Sequence, residues 1–269
     1  MRALAVNEFT TMQWTFDQDV EAYANANFQG IGVVRDKVEA YGVERAKRLL
    51  AEHSLHVTDV CIAGWFVQPE EEAFVQRVDD ARRGIEMAAE LEADALILLV
   101  GPSGEQTFEM ASSYLYRALE QIVPFAERHG AHLAIEPCNP MFRAEASFLM
   151  TLGEALDVCE KFDSSALGVW LDTYHLWWDN SLFSQLPRAQ GRILGVHVND
   201  FKQETRSLRD QTIPGEGVIP LRRLLDAIES AGWKGTYTIE IFSDSIQPVD
   251  YQDVLRRCRT GFDEIWRAG

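Results

Sequence analysis

A single (β/α)8 TIM barrel is the fold this chain predicts, and three observations predict it. Strand-length apolar runs recur eight times along 269 residues. Amphipathic helical stretches separate them, and no Pro/Gly/Ser-rich linker interrupts the alternation. Several runs are nearly continuous in Leu, Ile and Val, as strands covered on both faces are.

The first run, 3–9 (ALAVNEF), leads into Asn7-Glu8-Phe9-Thr10-Thr11 rather than the Gly-rich turn that opens a doubly wound dinucleotide fold. The second is 30–35 (GIGVVR) and the third 57–64 (VTDVCIAG). A long helical pattern over 70–92, charged outside and apolar inside, precedes the fourth run, 95–101 (ALILLVG). A second helical pattern over 105–129 leads to 132–138 (HLAIEPC). The runs 167–173 (LGVWLDT) and 193–200 (ILGVHVND) follow, and a helix over 219–231 precedes the last, 235–242 (GTYTIEIF). One domain over 1–269 is expected.

Composition narrows the function. Subtracting 42 acidic from 25 basic residues leaves a net charge of −17, whereas wrapping nucleic acid needs a cationic surplus. No nucleic-acid partner is expected. The N-terminus turns polar after six residues, and no apolar run approaches the roughly 20 residues that span a bilayer. Cys61, Cys138, Cys159 and Cys258 form no Cys-x-x-Cys pair. A cytoplasmic chain with reduced thiols and no membrane partner is expected.

Barrel active sites lie where strands end. Here the last four runs place Glu136, Asp172, His197 and Glu240 near their C-terminal ends. Singly, each would be read as an ion-pair partner or a satisfied core polar group. Three carboxylates converging among Leu, Ile, Val and Trp would be buried and mutually repulsive, and one divalent cation removes both costs. Three oxygen ligands and one imidazole suit Mn²⁺ best, with Mg²⁺, Co²⁺ and Zn²⁺ as alternatives.

The pieces AIEP, LDTYH, GVHVND, PGEG (214–217) and YTIEIF, in that order and spacing, resemble the sugar phosphate isomerase/epimerase group of xylose-isomerase-like TIM barrels. The resemblance covers essentially the whole chain, is strongest from Glu136 to Phe242, and leans toward the inosose isomerase branch. It implies that Glu136, Asp172, His197 and Glu240 bind the metal and that His175 contacts substrate. It further implies a keto-sugar or keto-cyclitol as the small-molecule partner. Glu136 and Glu240 would move protons through a metal-stabilised enediolate, giving epimerisation or isomerisation. A lyase or dehydratase with the same ligand set is the alternative. A three-zinc DNA endonuclease of the same superfamily is disfavoured, because strands two to four end in Arg35, Gly64-Trp65 and Gly101-Pro102. A non-catalytic sugar-binding barrel is disfavoured because all four ligands are present.

The resemblance also implies an arginine after the strand-seven histidine that steadies the substrate oxygen, for which Arg206 and Arg209 are candidates. Asn7 falls near the end of the first strand, and Trp65, Phe66 or Trp177 are candidates for stacking on a sugar face. Arg35, Lys37, Arg143 and Lys202 are candidates for a phosphate or carboxylate contact. Cys138 is read as packing. Trp177-Trp178 are candidates for a homo-oligomer interface.

Overall fold

The computed structural model describes residues 2–247 and 249–267. Eight parallel strands close into one barrel: β1 (Leu4–Asn7), β2 (Gly30–Val34), β3 (His56–Gly64), β4 (Ala95–Leu99), β5 (Leu133–Ile135), β6 (Leu167–Asp172), β7 (Ile193–Val198) and β10 (Tyr237–Ile239). Neighbours in sequence are neighbours in space, and β10 returns to β1 with Leu4 opposite Tyr237. Each strand falls inside a predicted run or overlaps it to within a residue. One addition was not predicted: β8 (Asp200–Phe201) and β9 (Gln211–Thr212) form a short antiparallel hairpin on the loop after β7.

The helices follow from spacing. In α9 (Leu221–Ser230), Leu221, Leu224, Leu225 and Ile228 recur at intervals of three and four and are all buried. The same holds for Val254, Leu255, Cys258 and Phe262 of α10 (Tyr251–Arg267). Each such side chain contributes about 1.5–3 kcal/mol by leaving water, as an upper bound. Helix α4 (Glu71–Glu90) lies within the predicted 70–92. Helix α5 (Phe108–His129) starts where the Thr107 hydroxyl accepts the Met110 amide at 3.3 Å, and stops at Gly130 in the left-handed region. No described helix is long and apolar enough to cross a membrane.

Three apolar clusters result, one of them formed by Cys138, Phe142, Ala146 and Tyr174 beyond the strand ends. The large one lies between strands and helices and holds residues such as Ile31, Leu96 and Ile85. A small one contains Cys61, Ala95, Ile97, Ala134 and Trp170. Trp170 packs edge-on to His197, with ring centroids 5.0 Å apart, so the metal-ligand candidates rest on a packed floor.

Candidate active site

Strand register brings the candidate ligands together. Asp172 ends β6 and sits directly opposite His197 of β7, while Glu136 and Glu240 follow immediately after β5 and β10. These four strands are adjacent in the barrel. His197 Nδ1 lies 3.3 Å from Glu240 Oε2, 3.5 Å from Glu136 Oε1 and 3.9 Å from Asp172 Oδ2. Donor atoms of Glu136, Asp172 and His197 fall within 4.8 Å of one another. All four residues are buried, and neither His197 Nδ1 nor Glu136 Oε1 has a hydrogen-bond partner. Orphaned buried polar atoms are rare, and here they face one point.

The electrostatics reflect that crowding. Burial raises the Glu136 carboxyl, and nearby Glu240 pushes it the same way against the pull of His197. For His197 burial would lower the pKa, yet Glu240, Asp59 and Glu136 hold it well above the usual histidine value. A cluster of carboxylates is being asked to bind positive charge.

Asp172 is held by its neighbours. Its Oδ1 accepts the His175 amide at 2.9 Å, capping the short helix α7 (Thr173–Leu176), and its Oδ2 accepts Asn199 Nδ2 at 2.8 Å. Asn199 is fixed in turn, because its Oδ1 accepts the Thr173 hydroxyl and the Tyr174 amide, both at 2.8 Å. His175 is buried, and its Nδ1 accepts the Asn139 amide at 3.2 Å. A backbone amide can only donate, so the neutral ring carries its proton on Nε2.

Behind His197 lies a feature that sequence reasoning missed. Asp59, fully buried in β3, places Oδ2 3.6 Å from His197 Nε2. Its carboxylate also accepts Asn7 Nδ2 at 2.6 Å and the Thr58 hydroxyl at 2.7 Å. Asn7, Gly32 and Asp59 share one register row across β1, β2 and β3. A Cβ on Gly32 would come within 2.5 Å of both the Asn7 amide and the Asp59 carboxylate, so the glycine makes room for that pair. Asn7 thus braces Asp59 and is absent from the cavity wall. A carboxylate inside the apolar run VTDVCIAG was the available signal.

A cavity of about 250 Å³ opens over the ligand cluster. Glu136, Glu240, His175, Cys138 and Gln211 contribute to its lining, with Phe9, Trp65, Leu99, Phe142 and Phe242 supplying apolar wall. Trp65 is placed by a close approach: a Cβ on Gly64 would lie 1.8 Å from the Leu99 carbonyl oxygen, so the chain there runs tight against β4. The indole Nε1 then donates to the Glu145 carbonyl at 2.9 Å. Phe66 is fully buried in the core, and Trp177 packs on Phe201 with centroids 5.1 Å apart; neither lines the cavity. Trp177 and Trp178 are both half-buried, and Trp178 donates to the His175 carbonyl at 2.7 Å.

Arg206 and Arg209 do not line the cavity either. The Arg206 side chain is 79 % exposed beside Asp210, and Arg209 lies over the Phe242 ring at 4.3 Å, next to Asp244. Their loop is set by Asp200, whose carboxylate accepts the amides of Phe201, Gly215, Gly217 and Ile219. Cys138 offers Sγ within 4.8 Å of donor atoms on Glu136 and His175, and burial followed by the Glu136 charge pushes its thiol well up.

Comparison with known proteins gives the family and the fold. The family model for xylose isomerase-like TIM barrels matches residues 20–260. The L-ribulose-5-phosphate 3-epimerase UlaE of Escherichia coli O1:K1 is 23 % identical over 224 residues, covering 79 % of this chain and 75 % of that one. Protein SMc04130 of Sinorhizobium meliloti 1021 superposes with a TM-score of 0.93 at 33 % identity, covering 98 % of both chains. The IolI protein, solved with a bound zinc atom, superposes at 0.88 with 17 % identity, covering 98 % of this chain and 97 % of its own.

Proposed function

Since the chain belongs to the xylose isomerase-like TIM barrel family, we propose that it is a divalent-metal-dependent isomerase or epimerase of a keto-sugar or keto-cyclitol. One observation carries the reading: three buried carboxylates surround a histidine nitrogen that has no hydrogen-bond partner. Glu136, Asp172, His197 and Glu240 would hold the ion. Oxygen-rich donors with one imidazole favour Mn²⁺, and IolI, which shares the fold, was solved with a bound zinc atom. An ion held there would supply Lewis-acid chemistry at a substrate carbonyl.

The protein's own groups do the rest. Glu136 and Glu240 stand on either side of His197, and each moves a proton at one face of the substrate through a carboxylate oxygen. Both line the cavity. His175 donates from Nε2 to a substrate oxygen, its ring orientation fixed by the Asn139 amide. Trp65 supplies a face for the sugar ring. The epimerase activity named for UlaE fits the same proton chemistry. Free buried thiols at all four cysteines suit a cytoplasmic setting.

The test is incubation of Mn²⁺-loaded protein with ketoses and inososes in D₂O. Deuterium should enter the carbon next to the carbonyl without loss of mass from the skeleton, and Glu240→Gln should abolish the exchange while unfolding at a similar temperature. Release of water or an aglycone would replace the isomerase with a lyase. Full exchange in Glu240→Gln would remove that residue from proton transfer.

A further inference from the structure

We infer that the substrate of this site carries no phosphate or other anionic group, and that the cavity selects an uncharged polyhydroxy ketone. The inference rests on the isomerase reading and narrows its substrate class. Among the described residues, no lysine or arginine lines the cavity. Its charged groups are Glu136 and Glu240 at the floor and Glu145, exposed, at the rim. Side-chain recognition of phosphate uses fixed guanidinium or ammonium partners, and the side chains of this wall supply none.

Three cations around the rim are paired with carboxylates, and a fourth is solvated. Arg35 forms a two-pronged pair with Asp80 at 2.9 and 3.0 Å. Lys37 lies 2.6 Å from Asp19, among the side chains packed outside β1. Lys202 pairs with Asp210 and donates to the Ser245 hydroxyl at 2.7 Å. Arg143 is exposed and outside the lining. The polar hollow behind Ile62 and Trp65 contains three arginines: Arg35 and Arg83 pair with Asp80, and the exposed Arg77 lies over the Trp65 ring at 6.0 Å. Among the described residues no buried, unpaired cation faces the cavity, so an anion entering it sheds water without a desolvated partner, which is unfavourable.

The apolar wall points the same way. Phe9, Trp65, Phe142 and Phe242 offer ring faces and edges to the C–H surfaces of a sugar. The hydroxyls can then meet His175, Gln211 and the two glutamates. This chain therefore parts company with the relative whose name specifies a phosphorylated ketose.

Titration calorimetry on the metal-loaded protein tests this with matched probes: D-fructose and D-fructose 6-phosphate, D-ribulose and D-ribulose 5-phosphate, D-tagatose and D-tagatose 6-phosphate, plus 2-keto-myo-inositol. The neutral member of a pair should bind at least tenfold tighter. A phosphorylated ketose that binds as tightly as its neutral partner overturns the inference, and so does a loaded protein that takes none of the neutral probes. Glu145→Lys should shift the affinity ratio toward the phosphorylated members at least fivefold, and added salt should erase that shift. No shift would show that rim charge does not set the preference, against the inference. Failure of the isomerase reading shows separately, as absent Mn²⁺ uptake or absent deuterium exchange.

Discussion

Replacing Asp59 by Asn asks whether the barrel interior prepares His197 to bind a cation. The Asp59 carboxylate sits 3.6 Å from His197 Nε2 while accepting donors from Asn7 and Thr58. Asn7 cannot turn over to adapt, because its Oδ1 accepts the Phe9 amide at 2.9 Å. When a cation takes the place of the Nδ1 proton, the carboxylate 3.6 Å from Nε2 favours the remaining proton on that nitrogen, leaving Nδ1 directed at Glu136, Asp172 and Glu240. Asparagine keeps the volume and one acceptor oxygen for Asn7. The Thr58 hydroxyl can rotate to accept the new amide. Packing therefore survives, and one negative charge behind the imidazole is lost.

Removing the partner behind a metal-ligating histidine costs about 10–100-fold in affinity, which is roughly 1.4–2.7 kcal/mol. Calorimetric titration of metal-free wild type and Asp59→Asn with Mn²⁺ measures it, with urea unfolding of both metal-free proteins as the control. The expected result is a dissociation constant at least tenfold weaker, with unfolding free energies within about 1 kcal/mol, the scale of an ordinary substitution. A twofold change or less, in a variant as stable as wild type, would refute the claim that Asp59 prepares the histidine.

Other consequences concern the scaffold. Glu8 is fully buried, with burial raising its carboxyl well above the ordinary value, Lys37 opposing and Asp19 reinforcing. A carboxyl raised in the folded state costs stability as pH rises from its unfolded value through its folded one. Glu8→Gln should therefore gain on wild type as pH rises from about 4.5 toward neutrality, and parallel melting curves across that range would count against it. Lys37→Met should lower stability by about 3–5 kcal/mol in urea, because Glu8 and Asp19 lose the cation they share; a loss under 1 kcal/mol contradicts the reading. Gly64→Ala sets a Cβ 1.8 Å from the Leu99 carbonyl at φ +136°. It should cost roughly 1–3 kcal/mol and shift the Trp65 emission, and an unchanged spectrum would mean that the strand end does not place that ring.

How far the site was legible depends on what each residue's placement rests upon. Strand ends are dictated locally: a carboxylate that closes an apolar run, as in LAIEP or VWLDT, or an imidazole one residue short of it, as in GVHV, sits near the barrel mouth, so the positions of Glu136, Asp172, His197 and Glu240 were legible as candidates. Asp59 carries the same signal, yet it sits fourth in the nine-residue β3. A rule that looks to strand ends points past it to Gly64. Its purpose appears only when register sets it beside Asn7 and leaves Gly32 between them. The loops fail for another reason. Arg206 and Arg209 have the right chemistry for a substrate contact, but Asp200 gathers four backbone amides and Lys202 meets Asp210. The loop is thereby folded so that both arginines stay off the cavity wall. Phe9, Phe142 and Phe242, which form the cavity wall, belong to turns just beyond strands, where no periodicity tells which way a ring faces. Local pattern reveals a barrel's charged floor, whereas its walls and the side chains that brace it are decided by contacts between strands far apart in the chain. Substrate preference, which those walls control, therefore has to be argued from the folded cavity.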